Sequence, residues 1–315
     1  MDNLAREAAA SWGLSDAQIT LAARRENVVY RVEGPDATYA LRLHRPGYRC
    51  AAELTSELDW MAALAAGGVS VPAPIATSDG GWTVEVGGHV VDLLQWMEGA
   101  SLGAAGELQG ITDRSGFCRI LGQEVARMHD ISDGWARPEG FSRPAWDRVG
   151  LLGEAPIWGR FWEHPDLSAQ ERALLEDARD QADIALTGVG DADYGLIHAD
   201  ILAENMLWDG RRLTFIDFDD GGFGYRDFEL ATFLLRYVEA PDYPALRAAL
   251  IEGYAGRRVV NEAELDLFLL LRALTYPGWI MARLGEPGAK ARSERAVRVA
   301  LGQAREWMER YGRAA

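Results

Sequence analysis

The chain has 315 residues, a length that fits two domains or one large unit of two parts. Hydrophobic residues supply 48% and charged residues 25%, which disfavours a disordered, collagen-like or coiled-coil chain. With 32 basic against 48 acidic residues the net charge is −16, which speaks against a general nucleic-acid binder and is compatible with a cationic small-molecule partner.

In chain order, residues 4–12 predict a short amphipathic helix. Asn27-Val28-Val29-Tyr30-Arg31-Val32 and Thr38-Tyr39-Ala40-Leu41-Arg42-Leu43 are β-prone runs flanking Gly34-Pro35-Asp36, so they predict an antiparallel hairpin. Leu54, Leu58, Met61 and Leu64 fall at helical spacing over residues 51–66, and Gly67-Gly68 ends that helix. Short strands are expected at 74–77, 82–86 and 89–94. From Gln95-Trp96-Met97-Glu98-Gly99 onward the patterns are helical, over 114–129, 168–186, 229–238, 243–254, 262–283 and 292–311. Ser168-Ala169-Gln170-Glu171 has the form of a capping box. One β island interrupts the helices: Leu196-Ile197-His198, then Asn205-Met206-Leu207-Trp208, the turn Asp209-Gly210, and Leu213-Thr214-Phe215-Ile216-Asp217. Arg272, Tyr276, Trp279 and Arg283 lie at i, i+4, i+7 and i+11, which predicts a packed helix face ahead of an acceptor-pocket wall.

Cys50 and Cys118 are isolated, so no disulfide framework or zinc ribbon is expected. Met1 to Glu7 lacks a basic-then-apolar leader. The apolar run 268–282 is broken by Arg272 and Pro277, short of the roughly 18–20 apolar residues that span a bilayer. The expectation is a cytoplasmic protein without a membrane or nucleic-acid partner.

The chemistry concentrates in the β island. Asp200 and Asp217 each follow a short apolar run, so strands that are buried until their last residues can present carboxylates at their ends. Asn205 stands five residues after Asp200, and Asp217 twelve further on, across a hairpin able to fold it back beside Asn205. Phosphoryl transfer from a nucleotide uses such a set: one Asp for the acceptor hydroxyl, and an Asn and a second Asp as oxygen ligands for Mg²⁺. Asp and Asn are also common turn residues, and it is the spacing that singles these three out.

His198-Ala199-Asp200, four residues, Asn205, then Ile216-Asp217-Phe218 resembles the signature of the aminoglycoside phosphotransferase/choline kinase family, in the branch with homoserine, hydroxylysine and stress-response kinases. Residues 27–32, 67–74, 93–99 and Phe228-Glu229-Leu230-Ala231 resemble further segments of that family in the same order. The resemblance implies an α+β, bilobed protein-kinase-like fold. Residues 1–97 would form a small antiparallel-sheet lobe binding the nucleotide, and 98–315 a mainly helical lobe with the catalytic loop and acceptor site. It further implies Asp200 as catalytic base, Asn205 and Asp217 as metal ligands, and His198 as a brace of the loop. Gln95, Trp96 and Met97 would give backbone contacts to the adenine. Glu57, with Glu53 as fallback, would pair with the phosphate-binding cation on the strand 39–43. Two residues depart from the pattern: that cation is Arg42 where the family has lysine, and Ala199 stands where glycine is usual.

The implied activity is transfer of the γ-phosphate of ATP (or GTP), with Mg²⁺, to a hydroxyl of a small molecule, cationic ones included (aminoglycoside, amino alcohol, homoserine-like or sugar). Glu98, Glu204, Asp219, Asp220 and Asp227 are candidates for an anionic pocket rim. Two alternatives use the same residues: a pseudo-kinase binding module, motivated by Arg42, and a metal-dependent hydrolase built on His198, Asp200, Asp217, Asp219 and Asp220.

Overall fold

The computed structural model describes residues 1–24, 27–104, 106–189 and 193–312. It has two compact units: residues 1–102, 130–143 and 205–219 in the first, and 103–129, 144–204 and 220–315 in the second.

The first unit holds a five-stranded antiparallel sheet in the order β1-β2-β3-β5-β4: β1 (Gln18–Arg24), β2 (Val28–Glu33), β3 (Thr38–Leu43), β4 (Thr83–Val86) and β5 (His89–Gln95). Side chains alternate across a strand, so β3 and β5 each present two faces. Leu41 and Leu43 with Val91 and Leu93 go to one face. They join Ala5, Ala8 and Ala9 from α1 (Asp2–Ala9) in a core whose members are at most 7% exposed. Arg42 and Asp92 go to the other face and stand directly opposite each other in the β3–β5 register. Helix α2 (Ala51–Ala66) supplies Glu57, which is fully buried.

A smaller three-stranded sheet in the same unit has the order β10-β9-β6: β6 (Ala100–Ser101), β9 (Met206–Trp208) and β10 (Leu213–Phe215). At its turn Asp209 Oδ1 accepts from the amides of Arg211 and Arg212 at 2.8 and 2.7 Å. That makes Asp209-Gly210 the hairpin turn its sequence predicts.

The second unit is mainly helical. It contains most of α3 (Arg114–Gly134), then α4 (Arg148–Leu152), α5 (Ala169–Gly188), α6 (Arg226–Leu234), α7 (Tyr243–Ala255), α8 (Glu262–Met281) and α9 (Ala289–Tyr311). Ser168 and Glu171 cap α5 reciprocally. A three-stranded sheet of order β7-β11-β8 joins β7 (Ala145–Trp146), β8 (Tyr194–Ile197) and β11 (Gly222–Tyr225). The chain is thus α+β, with an N-terminal five-stranded antiparallel sheet and a helical C-terminal region.

Three elements differ from expectation. Strand β1 was not expected: Ile19, Leu21 and Ala23 alternate along it, but the strand is largely exposed and closes an edge of the sheet. Strand β11 was not expected, glycine being a poor strand former, but a Cβ at Gly224 would collide with Ile197 of β8; the glycines admit close strand approach. The strand expected at 74–77 reduces to one bridge, Pro74 to Leu94, because prolines at 72 and 74 offer no N–H to a ladder.

Candidate active site

In the first unit, the β9–β10 register decides where the metal-ligand candidates lie. Phe215 pairs with Met206, and the Ile216 amide donates to the Asn205 carbonyl at 3.0 Å, so Asp217 follows directly beyond Asn205 across the hairpin. Asn205 is 5% exposed, whereas Asp217 is exposed and has a left-handed backbone, φ 67°. Asp tolerates that region better than most residues. Both side chains offer oxygen, the donor type a hard divalent cation takes, so this pair fits Mg²⁺. Asp219, a rim candidate, is 7% exposed and accepts from Asn27 Nδ2 at 2.7 Å; it is a buried anchor of the loop after the hairpin.

Behind this hairpin lies a buried charge network that sequence reasoning saw only in part. The Arg42 guanidinium grips Asp92 with two N–H groups, at 2.9 and 2.8 Å, and donates to Glu57 at 2.9 Å. Glu53 instead accepts from the Cys50 amide at the start of α2. His44 Nε2 lies 2.6 Å from Asp92, and Arg143 donates to Glu57 at 3.2 Å. Arg143 also donates to the carbonyls of Phe218 and Asp219, at 2.7 and 2.8 Å, tying the network to the segment just after Asp217. Burial pushes Asp92 up, but the Arg42 charge and then His44 outweigh it and hold the carboxyl below its ordinary range. Glu57 is likewise held low by Arg42 and Arg143 against its burial. Burial works against the Arg42 charge, but Asp92 and Glu57 outweigh it and leave Arg42 firmly charged. Asp92 had a signal in the sequence, a lone carboxylate in Val90-Val91-Asp92-Leu93-Leu94; Arg143 had none.

Of the segment 95–97, the Gln95 amide donates to Ala73 O at 2.8 Å and the Trp96 amide to Thr38 O at 3.1 Å. The Trp96 ring lies under the Arg31 guanidinium, 5.5 Å from its carbon.

In the second unit, β8 delivers the chain to His198-Ala199-Asp200. His198 is fully buried, and its Nδ1 accepts from the Asp200 amide at 3.3 Å. Ala199 has φ 63°, the conformation that favours glycine. The Glu229 carboxylate of α6 pins it there, accepting from the Ala199 amide at 3.0 Å and from the His198 amide. Burial pushes Glu229 up to about 8, against the pull of those two amides. Glu229 was visible in sequence only as part of the family-like segment 228–231. The Asp200 side chain is 21% exposed, and Arg272 of α8 donates to its Oδ1 at 3.0 Å. Among the other rim candidates, Glu204 lies 3.9 Å from Arg236, and Asp227 is partly buried beside the charges of Glu264 and Asp193.

A model of the phosphotransferase enzyme family matches residues 18–268. An uncharacterised protein of Deinococcus radiodurans is 29% identical, the match covering 96% of this chain and 88% of that one. A homoserine kinase of Agrobacterium fabrum is 29% identical over 221 residues, 68% of this chain and 63% of the kinase, so the match spans under two thirds of that protein. Among solved structures, the microcompartment-associated aminopropanol kinase superposes with a TM-score of 0.83 at 29% identity, covering 98% of both chains. Amicoumacin kinase hAmiN, solved with AMP-PNP and Ca²⁺, gives 0.71 at 18% identity and shares the fold. Among the described residues no helix is long and apolar enough to cross a membrane. The family match over most of the chain, on an N-terminal antiparallel sheet followed by helices, places this protein in the phosphotransferase enzyme family.

Proposed function

We propose that this protein is a kinase that moves the γ-phosphate of ATP (or GTP) to a hydroxyl of a small molecule, with an amino alcohol as the acceptor class to test first. The observation that supports the reading is the β9–β10 register, in which Ile216 bonds across to Asn205 and Asp217 follows next on the same hairpin. These two residues would hold Mg²⁺, which when bound neutralises phosphate charge. Residues 1–97 would serve the nucleotide and 98–315 the acceptor. In the segment 95–97, adenine contacts would come from carbonyls and the Met97 amide, since the Gln95 and Trp96 amides serve Ala73 and Thr38. Arg42, held by two carboxylates, would act on phosphate as a fixed charge paired with Glu57.

Asp200 would accept the acceptor hydroxyl's proton. The chain's part in the reaction is then alignment: Glu229 and His198 fix the backbone that leads into Asp200 so that its carboxylate meets the hydroxyl in one orientation. The aminopropanol kinase, similar over the full chain, motivates the acceptor class. The family match favours phosphoryl transfer over the hydrolase alternative.

The test is nucleotide consumption with ATP and with GTP, against 1-amino-2-propanol, homoserine, choline and aminoglycosides. Asp200→Asn is expected to lower kcat by about 10²–10⁴-fold, the usual weight of a positioned acid or base. Full turnover in that variant removes Asp200 from the reaction. Nucleotide binding without turnover on any acceptor favours the pseudo-kinase reading.

A further inference from the structure

We infer that Arg272 is a positioning residue for the phosphoryl-transfer step, acting by fixing the Asp200 carboxylate; the inference rests on the kinase reading above. Arg272 is fully buried near the middle of α8. Its guanidinium carbon lies 4.5 Å from the centre of the Trp158 ring, 4.8 Å from Tyr276 and 5.5 Å from Phe228. Nη2 donates to Asp200 Oδ1 at 3.0 Å and contacts the Tyr276 hydroxyl at 3.1 Å, while Nε and Nη1 are buried without a hydrogen-bond partner.

That arrangement is costly. Removing a guanidinium from water is unfavourable, and an apolar side chain of similar volume in the same aromatic box would avoid that penalty. Two of its nitrogens forgo hydrogen bonds, and ring faces return only part of the loss. A charge kept under those terms is explained by the one thing only a cation supplies here, a charge-assisted bond to Asp200.

The box gives that bond its direction. Trp158, Phe228 and Tyr276 hold the planar group, so Nη2 is aimed rather than merely near. Restraints on the Asp200 backbone include His198 Nδ1, which accepts from its amide, and the Leu202 amide, which donates to its carbonyl at 2.9 Å. Arg272 therefore restrains the side chain, which backbone contacts cannot do. A phosphoryl-transfer base needs orientation more than basicity, since the transition state is loose and little proton transfer precedes it. The packed helix face expected from Arg272, Tyr276, Trp279 and Arg283 is thus also the support of the catalytic loop.

A double-mutant cycle on the full-length protein tests this, with MgATP turnover measured on 1-amino-2-propanol and, as the acceptor-independent readout, on water. Arg272→Met is expected to lower kcat by about 10–10²-fold with KM for ATP unchanged, the scale of misplacing a reacting group by about an ångström. Arg272→Lys should recover part of the loss. In the Asp200→Asn background Arg272→Met should cost less than about twofold, because its effect passes through a carboxylate already removed. Equal losses in both backgrounds, or a loss confined to KM, would overturn the inference and leave Asp200 as base. An unchanged kcat in Asp200→Asn alone would overturn both. If Arg272→Met does not fold, the same cycle with Arg272→Lys decides on the same criteria.

Discussion

Ala199 shows how one residue can carry a cost for function. Its φ of 63° is the left-handed region, where a Cβ costs roughly 1–2 kcal/mol, and the Glu229 carboxylate holds it there through the Ala199 amide. Ala199→Gly should therefore stabilise the protein by about 1 kcal/mol, less the entropy glycine adds to the unfolded chain, read as a higher midpoint in urea. A lower midpoint would mean that the methyl packs usefully in its buried site. Legibility at this scale follows sequence distance. Asp200, Asn205 and Asp217 were readable because their spacing along one segment carries the chemistry. Their supports were not: Asp92 is 50 residues from Arg42, Arg143 is 86 from Glu57, and Arg272 is 72 from Asp200. A buried arginine looks in sequence like any other, and here all basic residues but Lys290 are arginine. Only the fold tells which ones are buried against carboxylates.

At the scale of elements, periodicity located most helices and left their contacts unread. Residues 114–129 and 243–254 were expected as helices and are found as α3, which runs on to Gly134, and α7. Nothing in either pattern shows that the two helices meet at glycines. A Cβ on Gly253 would overlap the Arg119 carbonyl of α3, and one on Gly122 would overlap the Leu250 carbonyl of α7. Backbone meets backbone there, and no rotamer change can relieve an added methyl. Gly253→Ala should thus destabilise by about 1–3 kcal/mol or more despite alanine's better helix propensity. Chemical denaturation measures it, and a neutral or stabilising result would show that α3 and α7 can separate freely. Among the strands left unread, β1 carries only the short alternation of Ile19, Leu21 and Ala23 on a largely exposed edge, and β11 uses glycine for close approach.

For the whole molecule, the buried acids set how stability depends on pH. Burial raises Glu229 from 4.5 to about 8, and burial with Glu264 and Asp193 nearby raises Asp227 from 3.8 to about 7. A raised folded value means that the native state holds the proton longer, so the stability these groups contribute is complete below their unfolded values and is lost as pH rises through the folded ones. Glu57 and Asp92 are shifted the other way, and their contribution is lost only as pH falls below about 4.5. Burial lowers His129 and His164, which makes stability rise with pH up to about 6.5 and masks the acids in that range. Between pH 6.5 and 8 the two raised acids act alone among these groups. Stability should therefore fall across that window, by at most about 1.4 kcal/mol per pH unit for each group. Asp227→Asn should reduce the decline below about pH 7 to the share of Glu229 alone, and leave the part between about 7 and 8, which belongs to Glu229, unchanged. Urea midpoints at pH 6.5, 7 and 8 test both statements, and a flat or rising profile would show that neither acid is held neutral. The ionisation of Glu229 charges the carboxylate that receives the His198 and Ala199 amides, so the part of the loss between about pH 7 and 8 belongs to the group that holds the loop carrying Asp200.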